Sequence, residues 1–198
     1  MALAVVFDFG YTLVNEDRVW KETAALHGWP ESIFFATLGA VIERRGHHRE
    51  VFEMLGARER PYPVPFEPRD FYDDALPSLQ KSKSSRHMTG IAGNFSTEIE
   101  QFLAEHADVD FIASSERWGV EKPDPKFFAR IAAEAACPPG EIMYVGDRID
   151  NDVAPARAAG LVAVHLRRGP WAYIQDGADE ADVRIESLDE LPEAFARV

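Results

Sequence analysis

The sequence predicts a doubly wound α/β fold, in which a parallel sheet core carries a helical insertion after its first strand. Short apolar runs alternate along the chain with helix-like patterns, as in folds built from βαβ units. The apolar runs are continuous, which is typical of parallel strands that are buried on both faces. The chain has 198 residues, a length that suits one such unit with a small insertion.

Five apolar runs account for the predicted strands. Four are strong and the fifth, in the middle of the chain, is weaker. Each is followed by a turn or a polar cluster, and helical patterns separate most of them. The strong runs are residues 4–7, 88–92, 142–145 and 162–166, and the weak run is residues 111–113.

Two segments between the strands carry clear helix signals. In DPKFFARIAAEAA, Asp124 is a suitable N-cap and Pro125 stands in the first turn, where proline is favoured. The later segment DNDVAPARAAG ends at Gly160, which is typical of a helix end. Both helices therefore have predicted boundaries.

Residues 15–85 interrupt this alternation. They contain apolar residues in helix-like groupings and no obvious strand, and the segment RPYPVPFEP with its four prolines ends the helical region. The sequence therefore predicts a core made of residues 1–14 and 86–198, and a helical cap made of residues 15–85.

The composition limits the classes of partner. The net charge is −13 at pH 7, which disfavours nucleic-acid binding because phosphate backbones require a basic patch. The chain has one cysteine, so it cannot form an internal disulfide. It shows no signal peptide and no apolar run near the ~18 residues of a membrane span. We therefore expect a cytoplasmic protein without membrane or nucleic-acid partners, either a monomer or a homodimer.

Polar residues follow the predicted strands at the end where open parallel sheets bind ligands. Asp8 follows the first strand, and GNFST follows the second. Lys122 stands in EKPDP beyond the weak strand, and GDRIDND, which is rich in carboxylates, follows the run at 142–145. Carboxylates, one lysine and small polar turns thus converge on one edge of the sheet.

These segments resemble, in order, the four motifs of the haloacid dehalogenase-like superfamily of hydrolases, most of which are magnesium-dependent phosphatases. The matching segments are VVFDFGYTL, GIAGNFS, EKPDP and VGDRIDND, and the last two match most closely. The resemblance covers nearly the whole chain, including a helical cap after the first strand. It implies a Rossmann-like core and a small phosphorylated metabolite as substrate.

The resemblance also implies roles for individual residues. Asp8 would be the nucleophile that forms an aspartyl-phosphate. Lys122 would hold Asp8 and a phosphate oxygen as a fixed positive charge. A Mg²⁺ ion would be bound by the Asp8 carboxylate, the carbonyl of Gly10 and the Asp147 carboxylate, with Asp152 acting from behind these ligands or through water.

Two positions depart from the family pattern. Gly10 stands where the family usually has a second Asp that acts as general acid and base, a role worth about 10²–10⁴ in rate. Gly93 stands where a Ser or Thr hydroxyl usually bonds the phosphate. We therefore expect a slow phosphatase whose phosphate contacts come from Gly93, Asn94 and Lys122.

Two alternatives share the same fold. With two departures at its site, the protein could bind a phosphorylated ligand or a partner without turnover. It could also be a 2-haloacid dehalogenase, which attacks carbon, although such enzymes typically have serine and asparagine in place of the metal-type motif VGDRIDND. Dependence on magnesium would separate a phosphatase from a dehalogenase.

Overall fold

The computed structural model of the chain describes residues 3–57, 64–85 and 87–196. The first part of the proline-rich segment and the predicted domain boundary at residue 86 lie outside the described residues, as do both chain ends.

The core is a six-stranded sheet in which every neighbouring pair of strands is parallel, so the predicted α/β fold with a parallel sheet is confirmed. The strand order is β3-β2-β1-β4-β5-β6, so that β1 lies between β2 and β4. The strands are β1 (Ala4–Phe7), β2 (Met88–Gly93), β3 (Phe111–Ser114), β4 (Ile142–Gly146), β5 (Val162–Leu166) and β6 (Val183–Ile185).

All five predicted strands are present, and β2, β3 and β4 each extend one residue further than predicted. The strand β6 was not predicted. It has only three residues, and the exposed Arg184 separates the buried Val183 and Ile185. So short a run gives neither a continuous apolar stretch nor a measurable alternation.

Ten α-helices occur in the described part of the chain. The predicted N-cap is confirmed, because the Asp124 carboxylate accepts a hydrogen bond from the backbone N–H of Lys126 at 2.8 Å. The helices are α1 (Asp17–Leu26), α2 (Glu31–Glu43), α3 (Glu50–Met54), α4 (Ala75–Ser84), α5 (Thr97–His106), α6 (Ser115–Trp118), α7 (Pro125–Ala135), α8 (Ala154–Ala158), α9 (Gly169–Ile174) and α10 (Leu191–Phe195).

The segment before Gly160 begins with a π-helical turn, Ile149–Val153, which leads into α8. Gly160 follows with a φ of +83°, a left-handed conformation that favours glycine and ends the helix as predicted. The π turn was not foreseen, because its residues have no sequence signature distinct from that of an α-helix.

The sheet separates two apolar clusters, one on each face. In β1, Val5 and Phe7 belong to one cluster, and Ala4 and Val6 belong to the other. Side chains alternate across a strand, so a run that is apolar at every position must be covered on both sides. This explains why β1 reads as a continuous apolar run.

Helices α1, α2 and α3 surround a third cluster, which includes Phe34 and Leu38 of α2. Tyr11, in the loop after β1, and Trp171, in helix α9, also belong to this cluster. Helix α4 contributes Ala75 to the cluster that contains Phe7 of the sheet. The division into a core and a cap at residues 15–85 stays a prediction.

Across the described residues, the helices fall short of the length and apolarity needed to cross a bilayer.

Candidate active site

Asp8 directly follows β1. The sheet extends from this strand on both sides, through β2 and β3 on one side and through β4, β5 and β6 on the other. Its backbone N–H donates to the carbonyl of Val145 in β4 at 2.8 Å, so the sheet hydrogen bonding continues to this residue. Its side chain lies at the carboxyl edge of the sheet and is buried. Open α/β sheets bind ligands at such a point, where neighbouring strands lead away in opposite directions.

Lys122 joins two carboxylates in the interior of the site. Its Nζ lies 2.6 Å from Oδ1 of Asp8 and 2.5 Å from Oδ1 of Asp152. It is only 3% exposed, and its Nζ also lies 5.5 Å from the centre of the Tyr144 ring. A buried ammonium requires such partners, and here it fixes the positions of both carboxylates.

Three buried carboxylates form an oxygen cluster. Each of Asp8, Asp147 and Asp152 has a carboxylate oxygen within 4.8 Å of those of the other two. Among the described residues, Oδ2 of Asp147 is buried and has no hydrogen-bond partner. Carboxylate oxygens are the ligands that Mg²⁺ prefers, so the residues present fit a divalent cation.

The charge balance of the site leads to the same conclusion. Burial raises the pKa of Asp147 well above its usual range, and the neighbouring Asp152 and Asp8 raise it further. Burial also raises the pKa of Asp152 to about 6, although Lys122 opposes this effect. Burial alone would lower the pKa of Lys122, but Asp152 and Asp8 raise it well above its usual value. One ammonium is therefore insufficient for three carboxylates, and a cation would relieve their repulsion.

Asp152 is fixed by the π turn that follows β4. Its Oδ2 accepts from the backbone N–H of Arg148 at 3.0 Å. The Arg148 guanidinium donates to both oxygens of Asp150, at 3.1 and 3.0 Å, and lies 5.1 Å from the centre of the Trp171 ring. The carboxylates of GDRIDND thus divide, with Asp152 inside the cluster and Asp150 paired to arginine outside it.

The loop after β2 approaches Asp8 closely. A Cβ atom at Gly93 would lie 2.4 Å from Oδ1 of Asp8, so only glycine leaves room for this carboxylate. The Asn94 side chain, which was expected to contact phosphate, forms two hydrogen bonds with the backbone of Lys122. The three predicted phosphate contacts are therefore adjacent, but the Asn94 amide is engaged within the protein.

A carboxylate that the sequence did not bring to notice lies beside Gly10. A Cβ atom at Gly10 would lie 2.6 Å from Oε1 of Glu16. Burial raises the pKa of Glu16 to about 7; the hydrogen bond from Trp20 lowers it and the negative charge of Asp8 raises it. Glu16 stands six positions after Gly10, so only the path of the loop shows that they meet.

Two further side chains of types that can bind a metal or a phosphate, His48 and Arg168, have contacts of their own. His48 packs against Trp20 with ring centres 5.7 Å apart, and burial lowers its pKa to about 3. Arg168, in the loop after β5, donates to Asp74 at 2.9 Å and to the carbonyl of Thr12 at 3.2 Å. Neither group lies among the three carboxylates.

The amino-acid sequence of this chain is similar to known protein families. The sequence model of the haloacid dehalogenase-like hydrolases matches residues 3–160. Glyceraldehyde 3-phosphate phosphatase of Methanopyrus kandleri is 33% identical over 127 residues, which cover 61% of this chain and 54% of that protein. Phosphoserine phosphatase of Thermus thermophilus is 28% identical over 156 residues, which cover 72% and 55%. The chain spans about half the length of these curated relatives.

Solved structures share the fold over nearly the full chain. An L-2-haloacid dehalogenase from Xanthobacter autotrophicus superposes with a TM-score of 0.73 at 17% identity, covering 99% of both chains. A phosphatase of the same superfamily from Thermococcus onnurineus superposes with a TM-score of 0.65 at 22% identity, covering 100% of both chains. These similarities establish the fold and leave the choice of reaction to the site itself.

Proposed function

The chain belongs to the haloacid dehalogenase-like hydrolases, and we propose that it is a magnesium-dependent phosphohydrolase that forms an acyl phosphate on Asp8. The observation that carries this proposal is the cluster of Asp8, Asp147 and Asp152, two of which, Asp8 and Asp152, pair with Lys122. Relatives named as glyceraldehyde 3-phosphate and phosphoserine phosphatases support it. They also favour a small phosphorylated metabolite as substrate.

Asp8 is the proposed nucleophile because it stands in the first motif of the family pattern and is the most exposed of the three clustered carboxylates. Its Oδ1 is held by Lys122, which fixes the orientation of the carboxylate toward an incoming phosphorus atom. A carboxylate that attacks a phosphate forms an acyl phosphate, a covalent intermediate that water then hydrolyses. Lys122 supplies a fixed positive charge where negative charge accumulates during both steps.

The metal site is proposed on Asp8, Asp147 and Asp152, together with the carbonyl of Gly10. The unpaired Oδ2 of Asp147 supports this assignment, because a buried carboxylate oxygen requires a cation or a donor. When bound, Mg²⁺ would neutralise the repulsion between the phosphate and the carboxylates. Since Lys122 contacts Asp152 at 2.5 Å, Asp152 would balance the lysine and the metal together.

The carboxylate cluster also bears on the dehalogenase alternative. A 2-haloacid carries a carboxylate, which a cluster of three buried carboxylates would repel. A phosphate monoester is likewise anionic, but a divalent cation held by these residues would neutralise that repulsion. The acidic site therefore favours phosphate chemistry over dehalogenation.

The test is phosphate release from para-nitrophenyl phosphate, acetyl phosphate and glyceraldehyde 3-phosphate, with Mg²⁺ or with a chelator. We expect phosphate release only when Mg²⁺ is present. A folded Asp8→Asn variant should release no phosphate under either condition. Halide release from a 2-haloacid without Mg²⁺ would support the dehalogenase instead. Binding of phosphorylated ligands without release from any of the three compounds would support a non-catalytic binding protein.

A further inference from the structure

The carboxylate of Glu16 occupies the space that a side chain at position 10 would fill. An ideal Cβ on Gly10 would lie 2.6 Å from Oε1, 2.9 Å from Cδ and 3.3 Å from Oε2 of Glu16. Among the described residues, and apart from the two chain neighbours of Gly10, all three atoms nearest to that Cβ position belong to Glu16. The space beside the backbone of Gly10 is therefore filled by a carboxylate that comes from another point in the chain.

Glu16 is held in this place by its contacts with helix α1. It immediately precedes α1, and its carbonyl accepts from the backbone N–H of Trp20 at 3.0 Å. The indole Nε1 of Trp20 donates to Oε2 of Glu16 at 3.2 Å. The Trp20 ring packs in turn against Phe34, with ring centres 5.8 Å apart. One carboxylate oxygen is thus anchored, and the other is the atom nearest to Gly10.

Hydrolysis through an acyl phosphate on Asp8 needs a group that donates and then accepts a proton. Lys122 is ion-paired to Asp8 and Asp152, which hold its proton in place. Asp17, next to Glu16, accepts a hydrogen bond from the Tyr11 hydroxyl at 3.0 Å. Of these two neighbours, Glu16 is the carboxylate that fills the space beside Gly10, whereas Asp17 bonds to Tyr11.

We propose that Glu16 is the proton donor and acceptor of the phosphohydrolase reaction, in the place of the side chain that Gly10 lacks. This inference rests on the proposed function. In the first step Asp8 bonds to phosphorus, the bond to the leaving oxygen breaks, and the proton of the Glu16 carboxyl passes to that oxygen. In the second step Glu16 takes a proton from water, the water oxygen bonds to phosphorus, and the bond between phosphorus and Asp8 breaks.

A substitution of Glu16 by Gln tests this role with para-nitrophenyl phosphate, whose leaving group needs no proton. The first step should survive and the second should slow, because no group takes the proton from water. We expect a burst of nitrophenol close to one equivalent per site, followed by turnover lowered about 10²–10⁴-fold. Acid-quenched Glu16→Gln protein should carry phosphate on Asp8. The matched control is Glu22→Gln, an exposed carboxylate on the same helix, which should turn over like the wild type.

A relocated carboxyl group provides the second variant. Gly10→Asp combined with Glu16→Ala returns a carboxyl to the vacated space, whereas Gly10→Ala with Glu16→Ala fills the space without one. We expect the first pair of substitutions to recover turnover relative to the second. The backbone at Gly10 lies outside the left-handed region, so it accepts a side chain once Glu16 is shortened.

The outcomes separate this inference from the proposed function. A wild-type protein without phosphate release would overturn both. Wild-type release together with undiminished turnover in Glu16→Gln would overturn the role of Glu16 alone. A folded Glu16→Gln variant that loses the burst as well as turnover would also overturn it, since Glu16 would then be needed to form the site and not to move the proton.

Discussion

The side chain of Asn94 forms two hydrogen bonds with the backbone of Lys122. Its Nδ2 donates to the Lys122 carbonyl at 2.9 Å, and its Oδ1 accepts from the Lys122 N–H at 2.8 Å. The loop after β2 thereby fixes the segment that carries the buried ammonium. Asn94 is exposed, but both ends of its amide are engaged.

The first prediction is that Asn94→Ala lowers kcat about tenfold and leaves KM almost unchanged. Each lost hydrogen bond is worth about 0.5–1.5 kcal/mol, and its loss lets the Lys122 ammonium move from Asp8. Steady-state kinetics with Mg²⁺ measure this, and Thr97→Ala at the start of α5 is the control. A raised KM with unchanged kcat would instead support a direct contact between Asn94 and phosphate.

The second prediction concerns Gly93→Ser, which restores the residue type of the family pattern but should lower activity at least about tenfold. The new Cβ would lie 2.4 Å from Oδ1 of Asp8, so the carboxylate must leave its position. Gly140→Ser is the matched control, because its Cβ would meet only the carbonyl of Gly160 at 4.0 Å. A gain in kcat for Gly93→Ser would mean that the hydroxyl binds phosphate without displacing Asp8.

The third prediction is that Mg²⁺ stabilises the folded protein. A ligand that binds only the folded state at about 100 times its Kd adds about 2.7 kcal/mol to the free energy of unfolding. Thermal unfolding with Mg²⁺ and with a chelator should show the shift in the wild type and lose it in Asp147→Asn. Asp150→Asn should keep the shift, because Asp150 pairs with Arg148 outside the cluster. Equal shifts in both variants would place the metal elsewhere.

The fourth prediction follows from the half-buried His48. Burial, helped by His47 and Arg148, lowers the pKa of His48 to about 3 in the folded protein, against about 6.5 in an unfolded chain. Between these pH values the unfolded chain binds more protons, so the free energy of unfolding falls as the pH falls below about 6.5. Urea denaturation at pH 7 and pH 5 should show a loss about 1–2 kcal/mol smaller in His48→Phe than in the wild type. Identical losses in the two proteins would contradict the prediction.

The sheet and the residues along its edge were predictable because both depend on local patterns. Continuous apolar runs identified five of the six strands, and the residues that follow parallel strands must meet at one edge. Asp8, Lys122, Asp147 and Asp152 are accordingly close together. Their chemical roles stay predictions.

Contacts that depend on the path of a loop were not predictable. Glu16 reaches Gly10 because the chain turns back between them. An acidic residue six positions after a glycine does not by itself predict such a contact. The position of Asn94 after β2 predicts a contact with phosphate. Its amide instead forms hydrogen bonds with the backbone of Lys122, 28 residues further along the chain. Such pairings emerge only when the core brings distant segments together.

The contacts of Asp74 indicate where the chain cannot be truncated without loss of the fold. Asp74 precedes α4 and accepts hydrogen bonds from Arg168, from the hydroxyl of Ser187 at 2.8 Å and from the N–H of Leu188 at 3.0 Å. All three donors lie beyond residue 160, where the family match ends. A gene shortened at that point would lose β5 and β6 and leave β4 as a bare edge strand, prone to aggregate. The boundary of the sequence family is therefore not the boundary of the cooperative folding unit.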